Sequence, residues 1–428
     1  MNDERHRRAK EIFLLACERA GEDRFEFLEE QCDGDPELLA EVEALLAFDL
    51  SKSAETSGSR APRRVGHFRL LQLVGEGGRG EVWEADQDEP VRRRVAFKLI
   101  KWGMDSKEVL ARFEGERQAR ALMNHPNIAR AFEAGSTDDG RPFFAMEFVK
   151  GVPLTEYCDR QRLDTDRRLD LFAQVCAGVQ HAHQKGVFHR DIKPSNILVA
   201  VADGRPVPKI IDFGVAKATS QRLTERTLFT ELGQWIGTPE YMSPEQAELT
   251  SLDVDTRSDV YSLGVVLYEL LAGAQPFDSS ELRTAGFDEM RRVIREDDPP
   301  RPSTRVSSLG HESKLAAERR RTDIQGLTRT LRGDLDWIVM RALEKDRTRR
   351  YGSPSELAAD VDRYLRNQPV EASPPSGVYR LRKFVGRHRM GVAAGAAVVA
   401  LLVAGVVGTS IGLVRARAEA ETARTVSA

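Results

Sequence analysis

Val187-Phe188-His189-Arg190-Asp191-Ile192-Lys193-Pro194-Ser195-Asn196-Ile197-Leu198 is the stretch on which the reading of this chain turns. Its two ends are apolar. Between them an acid, a lysine and an amide stand at fixed offsets: Lys193 two residues after Asp191, and Asn196 five after it. A lone His-Arg-Asp tripeptide reads as an ordinary surface loop. The whole string does not.

The pattern continues outward. Twenty-one residues after Asp191 comes Asp212, in Ile211-Asp212-Phe213-Gly214, and further on stands Gly237-Thr238-Pro239-Glu240-Tyr241-Met242-Ser243-Pro244-Glu245. On the N-terminal side lies Gly75-Glu76-Gly77-Gly78-Arg79-Gly80-Glu81-Val82. A G-x-G-x-x-G run alone is weak evidence, compatible with a flexible turn or a dinucleotide-binding loop. The dinucleotide loop opens a helix, whereas here a β-like run, EVWEAD, follows. That order makes a glycine hairpin folded over phosphates, where main-chain N–H groups approach closely and no Cβ intervenes. No Gly-Lys pair occurs, which excludes a Walker A loop. Eighteen residues after Gly80 stands Lys98, in Val95-Ala96-Phe97-Lys98. A lysine in that setting is ordinarily a solvated strand end.

Around these motifs the segments change character. From Phe68 the runs FRLLQLV, EVWEAD, RVAFKLI, IARAFEAG and PFFAMEFV read as strands, interrupted by one helical stretch from Ser106 to Met123. From Leu154 onward the segments read mainly as helices, except around 186–213.

With these residues quoted, the chain resembles the eukaryotic-type (Hanks-type) bacterial serine/threonine protein kinases over about 300 residues. The resemblance implies an α+β, bilobal kinase fold with a β-rich N-lobe and a helical C-lobe. It implies that Gly75, Gly77, Gly80 and Val82 cover the nucleotide, with Ala96 beneath it. Lys98 then pairs with the ATP phosphates and needs a carboxylate to hold it. Glu116, nine residues before His125, is favoured, and Glu114 competes from another helix face. Met146-Glu147-Phe148-Val149 resembles the hinge, with Met146 as gatekeeper and Glu147 and Val149 beside adenine. Asp191 and Lys193 take the catalytic positions, the first receiving or aligning the substrate hydroxyl and the second neutralising charge on the phosphoryl. Asn196 and Asp212 take the metal positions for Mg²⁺ or Mn²⁺. Phosphoryl transfer asks for positioning and charge neutralisation more than covalent help, which is why these residue types recur together.

The resemblance reaches further. Asp212 to Glu245 corresponds to the activation segment, in which Ser243 departs from the usual alanine. Lys193 and Thr238 point to Ser/Thr specificity. Arg190 marks a class switched on by phosphorylation, for which Thr224, Thr227 and Thr230 are the candidate sites. Glu245 is expected to pair with Arg350, and Asp259 to support the Asp191 loop. Residues 331–346 and the QPVEASPPS stretch resemble a subgroup that joins a kinase to one membrane helix and a repeat region, so the chain is expected to be a truncated form. The basic run Glu318-Arg319-Arg320-Arg321 reads as a solvated loop. The rival readings are a pseudokinase acting as a nucleotide-binding scaffold, a small-molecule phosphotransferase, and a membrane receptor.

Composition agrees. The net charge of −3, with 31% charged residues, gives no electrostatic case for nucleic-acid binding. Four scattered cysteines, Cys17, Cys32, Cys158 and Cys176, read as reduced packed thiols without zinc spacing. The N-terminus has no secretory leader pattern. Gly391 to Val414 is uncharged over more than the roughly 20 residues a bilayer core requires. Arg380, Arg382, Lys383, Arg387 and Arg389 precede it, against Arg415, Arg417 and Arg424 after it, which favours a cytoplasmic N-terminal side. Ala404, Gly408 and Gly412 could form a homodimer face. The expected organisation is a helical region (1–50), a flexible linker (51–66), the kinase domain (67–366), a basic juxtamembrane linker (367–390), a transmembrane helix (391–414) and a short tail (415–428).

Overall fold

The structure, a computed structural model, describes residues 31–32, 63–77, 80–100, 123–213, 239–248, 255–278, 282 and 286–426. The helical region expected in 1–50 and the linker that follows lie almost entirely outside the described residues. So do the stretch 101–122, with Glu114 and Glu116, and the segment 214–238, with Thr224, Thr227, Thr230 and Thr238. The chain divides into two compact units, Met1–Arg64 and Val65–Ala428.

The first sheet has six strands. Strands β1 (Arg64–Val65), β2 (Phe68–Gly77), β3 (Gly80–Gln87), β4 (Arg93–Ile100), β5 (Ala131–Ser136) and β6 (Pro142–Glu147) run in the order β1-β2-β3-β4-β6-β5. Each of the five β-like runs read from the sequence contains a strand, with 128–130 and 148–149 falling outside β5 and β6. Their alternation assigns two different faces, because successive side chains point to opposite sides. One face carries Phe68, Leu70, Ala85, Val95, Phe97, Leu99, Phe143 and Ala145, which close a core of their own. Phe97 stacks on Phe143 at 4.7 Å, and Phe68 tilts against Phe97 at 5.1 Å. Such aromatic pairs each contribute about 0.5–1.5 kcal/mol beyond burial. The opposite face is set by register. Gly75 pairs with Val82, Val82 with Lys98, and Lys98 with Phe144. Ala96 pairs with Met146. Val82, Ala96, Lys98, Phe144 and Met146 therefore share one surface, and a slip of one residue would turn all of them into the core.

Helices dominate from Leu154 onward: α1 (Leu154–Arg160), α2 (Thr165–Gln184), α3 (Pro244–Ala247), α4 (Thr256–Ala272), α5 (Phe287–Glu296), α6 (Pro302–Ser308), α7 (His311–Glu318), α8 (Ile324–Leu331), α9 (Asp334–Ala342) and α10 (Pro354–Leu365). Asp164 caps α2 and Asp255 caps α4, each accepting from a first-turn N–H. Helix α4 is buried almost all round, from Ser258 to Ala272, as befits a central core helix. Leu169, Phe172, Val175, Val179, Val266 and Leu335 belong to the same apolar cluster. Cys158 and Cys176 are free and buried, and burial raises both thiols, to about 11 at Cys158. They are packing residues.

β7 (Val152–Pro153), β8 (Ile197–Ala202) and β9 (Arg205–Ile210) form a second sheet in that order. Its hairpin turns on Asp203-Gly204, with φ of 50° and 75°. Two residues with positive φ make a type I′ turn, the form whose twist matches a two-residue hairpin. The turn fixes the register Ala202↔Arg205 through Ile197↔Ile210.

One expectation is corrected. The basic run after Glu318 is not a solvated loop. Arg320 is only 3% exposed, and its guanidinium donates to the carbonyls of Glu269 (3.2 Å) and Leu270 (2.7 Å). These belong to the last turn of α4, where helix carbonyls lack partners within the helix. Arg319 pairs with Asp159 at 2.9 Å, and only Arg321 is exposed. Within the basic stretch 367–390, helix α11 (Gly377–Arg387), capped by Ser376, precedes helix α12 (Arg389–Val426). Asp360, fully buried, accepts from the N–H groups of Glu371 and Ala372, so the chain after α10 is held to the domain. Within α12, Gly391–Ala416 is long and apolar enough to cross a membrane, and it is wholly exposed.

Candidate active site

The two sheets meet at the residues singled out from the sequence. Lys98 leaves the inner face of β4, and its Nζ lies 2.7 Å from Asp212 Oδ2. Lys98 is 7% exposed, so this contact is shielded from water on the lysine side. Its other expected partner, Glu116, lies outside the described residues. Asp212 follows β9 and adopts φ 62°.

The hairpin β8–β9 brings the ends of the two motifs together. Just beyond Ile197↔Ile210, the N–H of Ile211 donates to the Asn196 carbonyl at 2.9 Å. Asn196 closes a short turn, Pro194–Asn196, and its Nδ2 donates to the Asp191 carbonyl at 2.7 Å. Asp191 Oδ2 is 3.3 Å from both Asn196 Nδ2 and Lys193 Nζ. Acid, amide and lysine thus converge at offsets of two and five because the chain makes one tight turn between them.

The surroundings hold that turn. His189 is fully buried, and its Nε2 donates to the Ile211 carbonyl at 3.0 Å while Nδ1 accepts from the Asp191 N–H at 3.2 Å. Its ring meets Phe213 edge-on at 4.8 Å. Asp259, on α4, accepts from the N–H groups of His189 (2.8 Å) and Arg190 (2.7 Å). Burial opposes its charge. The His183 side chain, 2.7 Å away, outweighs that and holds the Asp259 carboxyl below the usual range. Glu245 meets Arg350 through two bonds of 2.7 and 2.8 Å, and Ser258 adds a third at 2.6 Å.

Sequence reading missed some of these contacts. His183 carries no local signature. Ser243-Pro-Glu-Gln246 does: it is a capping box, and both of its bonds form at the start of α3. Gln246 then reaches the Arg190 carbonyl at 2.9 Å, tying this helix to the Asp191 turn.

The remaining expected residues lie along the sheet. A Cβ at Gly75 would meet nothing within 4 Å, whereas one at Gly80 would stand 2.2 Å from the Leu99 carbonyl oxygen. Gly77 pairs with Gly80, and Val82, Ala96 and Met146 lie on the Lys98 face. The Glu147 carboxylate turns to Lys209 at 2.7 Å, leaving main chain as this segment's contribution toward a ligand. Beyond Val149, Gly151 presses against the Val199 carbonyl, where a Cβ would come within 2.6 Å. For a metal, Asp212 and Asn196 offer hard oxygen donors. With the Asn196 nitrogen engaged by Asp191, its oxygen is the atom that would face a cation. Among the described residues no cluster of three or more His, Cys, Asp or Glu forms a closed cage. Two oxygen donors suit a cation that takes its remaining ligands from phosphate and water, as Mg²⁺ does.

Comparison with known proteins agrees with this geometry. The protein kinase domain model matches residues 68–360. Serine/threonine-protein kinase pkn3 of Myxococcus xanthus is 35% identical over 320 residues, covering 73% of this chain and 56% of that protein. PknB of Mycobacterium tuberculosis is 33% identical over 310 residues, covering 71% of this chain and 44% of that one. The chain therefore spans about half the length of the curated relatives it matches. Among solved structures, the PknI kinase domain of Mycobacterium tuberculosis shares 22% identity with a TM-score of 0.49, covering 71% of this chain and 98% of that domain. A glycine-bearing hairpin beside the Lys98 strand, the Lys98–Asp212 contact, and a match through residues 68–360 lead to one conclusion: the chain belongs to the protein kinase family.

Proposed function

We propose that this chain is a serine/threonine protein kinase that transfers the γ-phosphate of ATP to Ser or Thr hydroxyls of proteins. The observation that best supports the reading is the 2.7 Å Lys98–Asp212 contact beside the Asp191–Lys193–Asn196 turn. In this reading Gly75, Gly77, Gly80 and Val82 close over the nucleotide, and Ala96 and Met146 form the floor and rear wall of the adenine site. The main chain at Glu147 and Val149 pairs with adenine. Lys98, aligned by Asp212 and Glu116, holds the phosphates. Asp191 orients the substrate hydroxyl in line with the γ-phosphorus and receives its proton as the new P–O bond forms. Lys193 offsets negative charge on the phosphoryl oxygens. Asn196 and Asp212 would hold Mg²⁺ or Mn²⁺, which supplies charge neutralisation on the β- and γ-phosphates. Thr224, Thr227 or Thr230 is an autophosphorylation site whose phosphate pairs with Arg190. The kinase domain lies on the cytoplasmic side of a membrane crossed once by residues 391–414.

The test is phosphate transfer from radiolabelled ATP to a mixed protein substrate by the full chain in detergent. Transfer by wild type is expected on serine and threonine. Asp191→Asn is expected to lower kcat by about 10²–10⁴-fold, the usual weight of a positioned acid–base group, and Lys98→Met to abolish transfer. A wild-type protein that binds ATP yet transfers nothing would replace this reading with the scaffold one.

A further inference from the structure

Helix α11 is held to the domain by polar contacts from one side. Tyr379 and Lys383 face the domain: Tyr379 Oη donates to Asp334 Oδ1 at 3.0 Å, and Lys383 Nζ lies 2.6 Å from Asp334 Oδ2. The other side carries Val378, Leu381, Phe384 and Val385, spaced by three, three and one along the helix and 78%, 62%, 51% and 38% exposed. This is an apolar stripe of the kind that seeks a second phase. Arg380 and Arg387 are exposed beside it. They line, with Leu381, Lys383 and Phe384 of the same helix and with Asn367 and Pro369, a cleft of about 430 Å³.

The chain itself indicates what covers this face. His388 alone separates α11 from α12, and the main-chain bonds His388 N–H to Phe384 O (3.0 Å) and Val392 N–H to His388 O (2.9 Å) bridge the junction. The apolar segment begins at Gly391. At about 1.5 Å of rise per residue, Phe384 lies about 10 Å and Val378 about 20 Å from it along the chain, so all four apolar residues reach the boundary when α11 lies along the surface. Headgroups fill about 5–8 Å on each side of the hydrocarbon core. An apolar stripe flanked by arginines, one residue removed from a helix able to enter a bilayer, has the composition of an interfacial helix. Anionic headgroups supply the charge that the arginines lack, each basic residue near such a surface adding to the attraction.

We propose that α11 binds the anionic phospholipid surface of the membrane its own chain enters, with Val378, Leu381, Phe384 and Val385 at the headgroup–acyl boundary and Arg380 and Arg387 on lipid phosphates. This rests on the reading of residues 391–414 as a span. Because Asp334 holds the opposite side of α11, lipid contact fixes the kinase domain against the bilayer instead of leaving it on a loose tether.

The experiment uses the full chain, with Cys17→Ser, in nanodiscs of phosphatidylcholine alone or mixed with phosphatidylserine. A nitroxide is placed at Leu381→Cys or, separately, at Val403→Cys, and its collision with a water-soluble nickel chelate is measured. At Leu381 the chelate accessibility is expected to fall several-fold in the mixed discs, and Arg380→Gln with Arg387→Gln is expected to restore it. Equal accessibility in both discs, with Val403 protected, overturns the surface proposal and leaves the span. An accessible label at Val403 removes the span reading and this proposal with it. Protection of Leu381 accompanied by spin–spin broadening that vanishes on dilution with unlabelled chain would make the occupant a second copy and overturn the lipid assignment.

Discussion

Arg190 and Asp212 hold φ of 64° and 62°, a region in which side chains other than glycine are strained. Such positions cost on the order of 1–3 kcal/mol each and persist where neighbours over-determine them. Arg190 is pinned on both sides, its N–H by Asp259 and its carbonyl by Gln246. The strain therefore sits where the Asp191 turn and the Asp212 strand end come together. A neighbouring contact can be tested by itself. Glu245 and Arg350 are buried, and Arg350→Met would leave the carboxylate facing Ser258 alone. Breaking one side of a buried pair costs about 3–5 kcal/mol, so the denaturation midpoint is expected to fall accordingly, with partial recovery in Glu245→Gln/Arg350→Met. The pH dependence has a definite sign. Burial raises the Glu245 carboxyl, but the Arg350 hydrogen bonds and charge outweigh it and hold it below the ordinary range. A depressed folded pKa means the stabilisation is complete above the unfolded value, about 4.3. It is lost as pH falls through the lower folded value. Glu245→Gln is expected to flatten the acid limb of stability against pH, and an unaltered limb would contradict the pair's role.

At the scale of elements, the β2–β3 hairpin separates glycines that serve the fold from those that leave room. Gly80 has φ 155° and no space for a Cβ against the Leu99 carbonyl, whereas Gly75 faces open space. Gly80→Ala is expected to lower stability by about 1–3 kcal/mol, the cost of forcing a methyl into packed surroundings. Gly75→Ala is expected to leave the melting temperature nearly unchanged and to weaken nucleotide binding, read by titration with ATP. Equal losses of stability in both would refute the distinction. These strands were legible because alternation and turn residues are local signals, and Asp203-Gly204 is as local a hairpin signal as a chain can carry. The offsets among Asp191, Lys193 and Asn196 were legible because one turn sets them. Arg320 was not: a run of three arginines looks solvated until its position against the last carbonyls of α4, 50 residues away, is known. His183 was hidden for the same reason, since its partner Asp259 is 76 residues distant. Local chemistry writes itself into neighbouring positions, and long-range satisfaction of buried polar groups does not.

The whole molecule raises the question of how the kinase domain is joined to the helix beyond it. Residues after α10 read as a linker because they are basic and contain prolines, yet they are fastened at several points. Asp360 receives two main-chain N–H groups, and Tyr379 Oη accepts from the Val370 N–H at 3.1 Å while donating to Asp334. Trp337 meets the Tyr379 ring edge-on at 5.5 Å. Asp334 is the hub, since both Tyr379 and Lys383 end on it. Asp334→Ala is therefore expected to release α11, with amide exchange across 378–388 accelerating. The cost to the domain itself is expected to stay near about 1–3 kcal/mol, that of unmade hydrogen bonds to a charged group. Burial, reinforced by the Asp334 charge, pushes the Tyr379 phenol up to about 12. A raised folded pKa leaves the contact intact below the unfolded tyrosine value of about 10. The contact is lost as pH climbs through the folded value, so exchange in 378–388 is expected to quicken in alkali before the domain unfolds. Tyr379→Phe keeps the ring against Trp337 but removes the hydroxyl, and it is expected to abolish that alkaline step while Asp334→Ala abolishes the docking altogether. If exchange in both variants matched wild type, α11 would be a free tether, and no orientation of the kinase domain could be passed through it to α12.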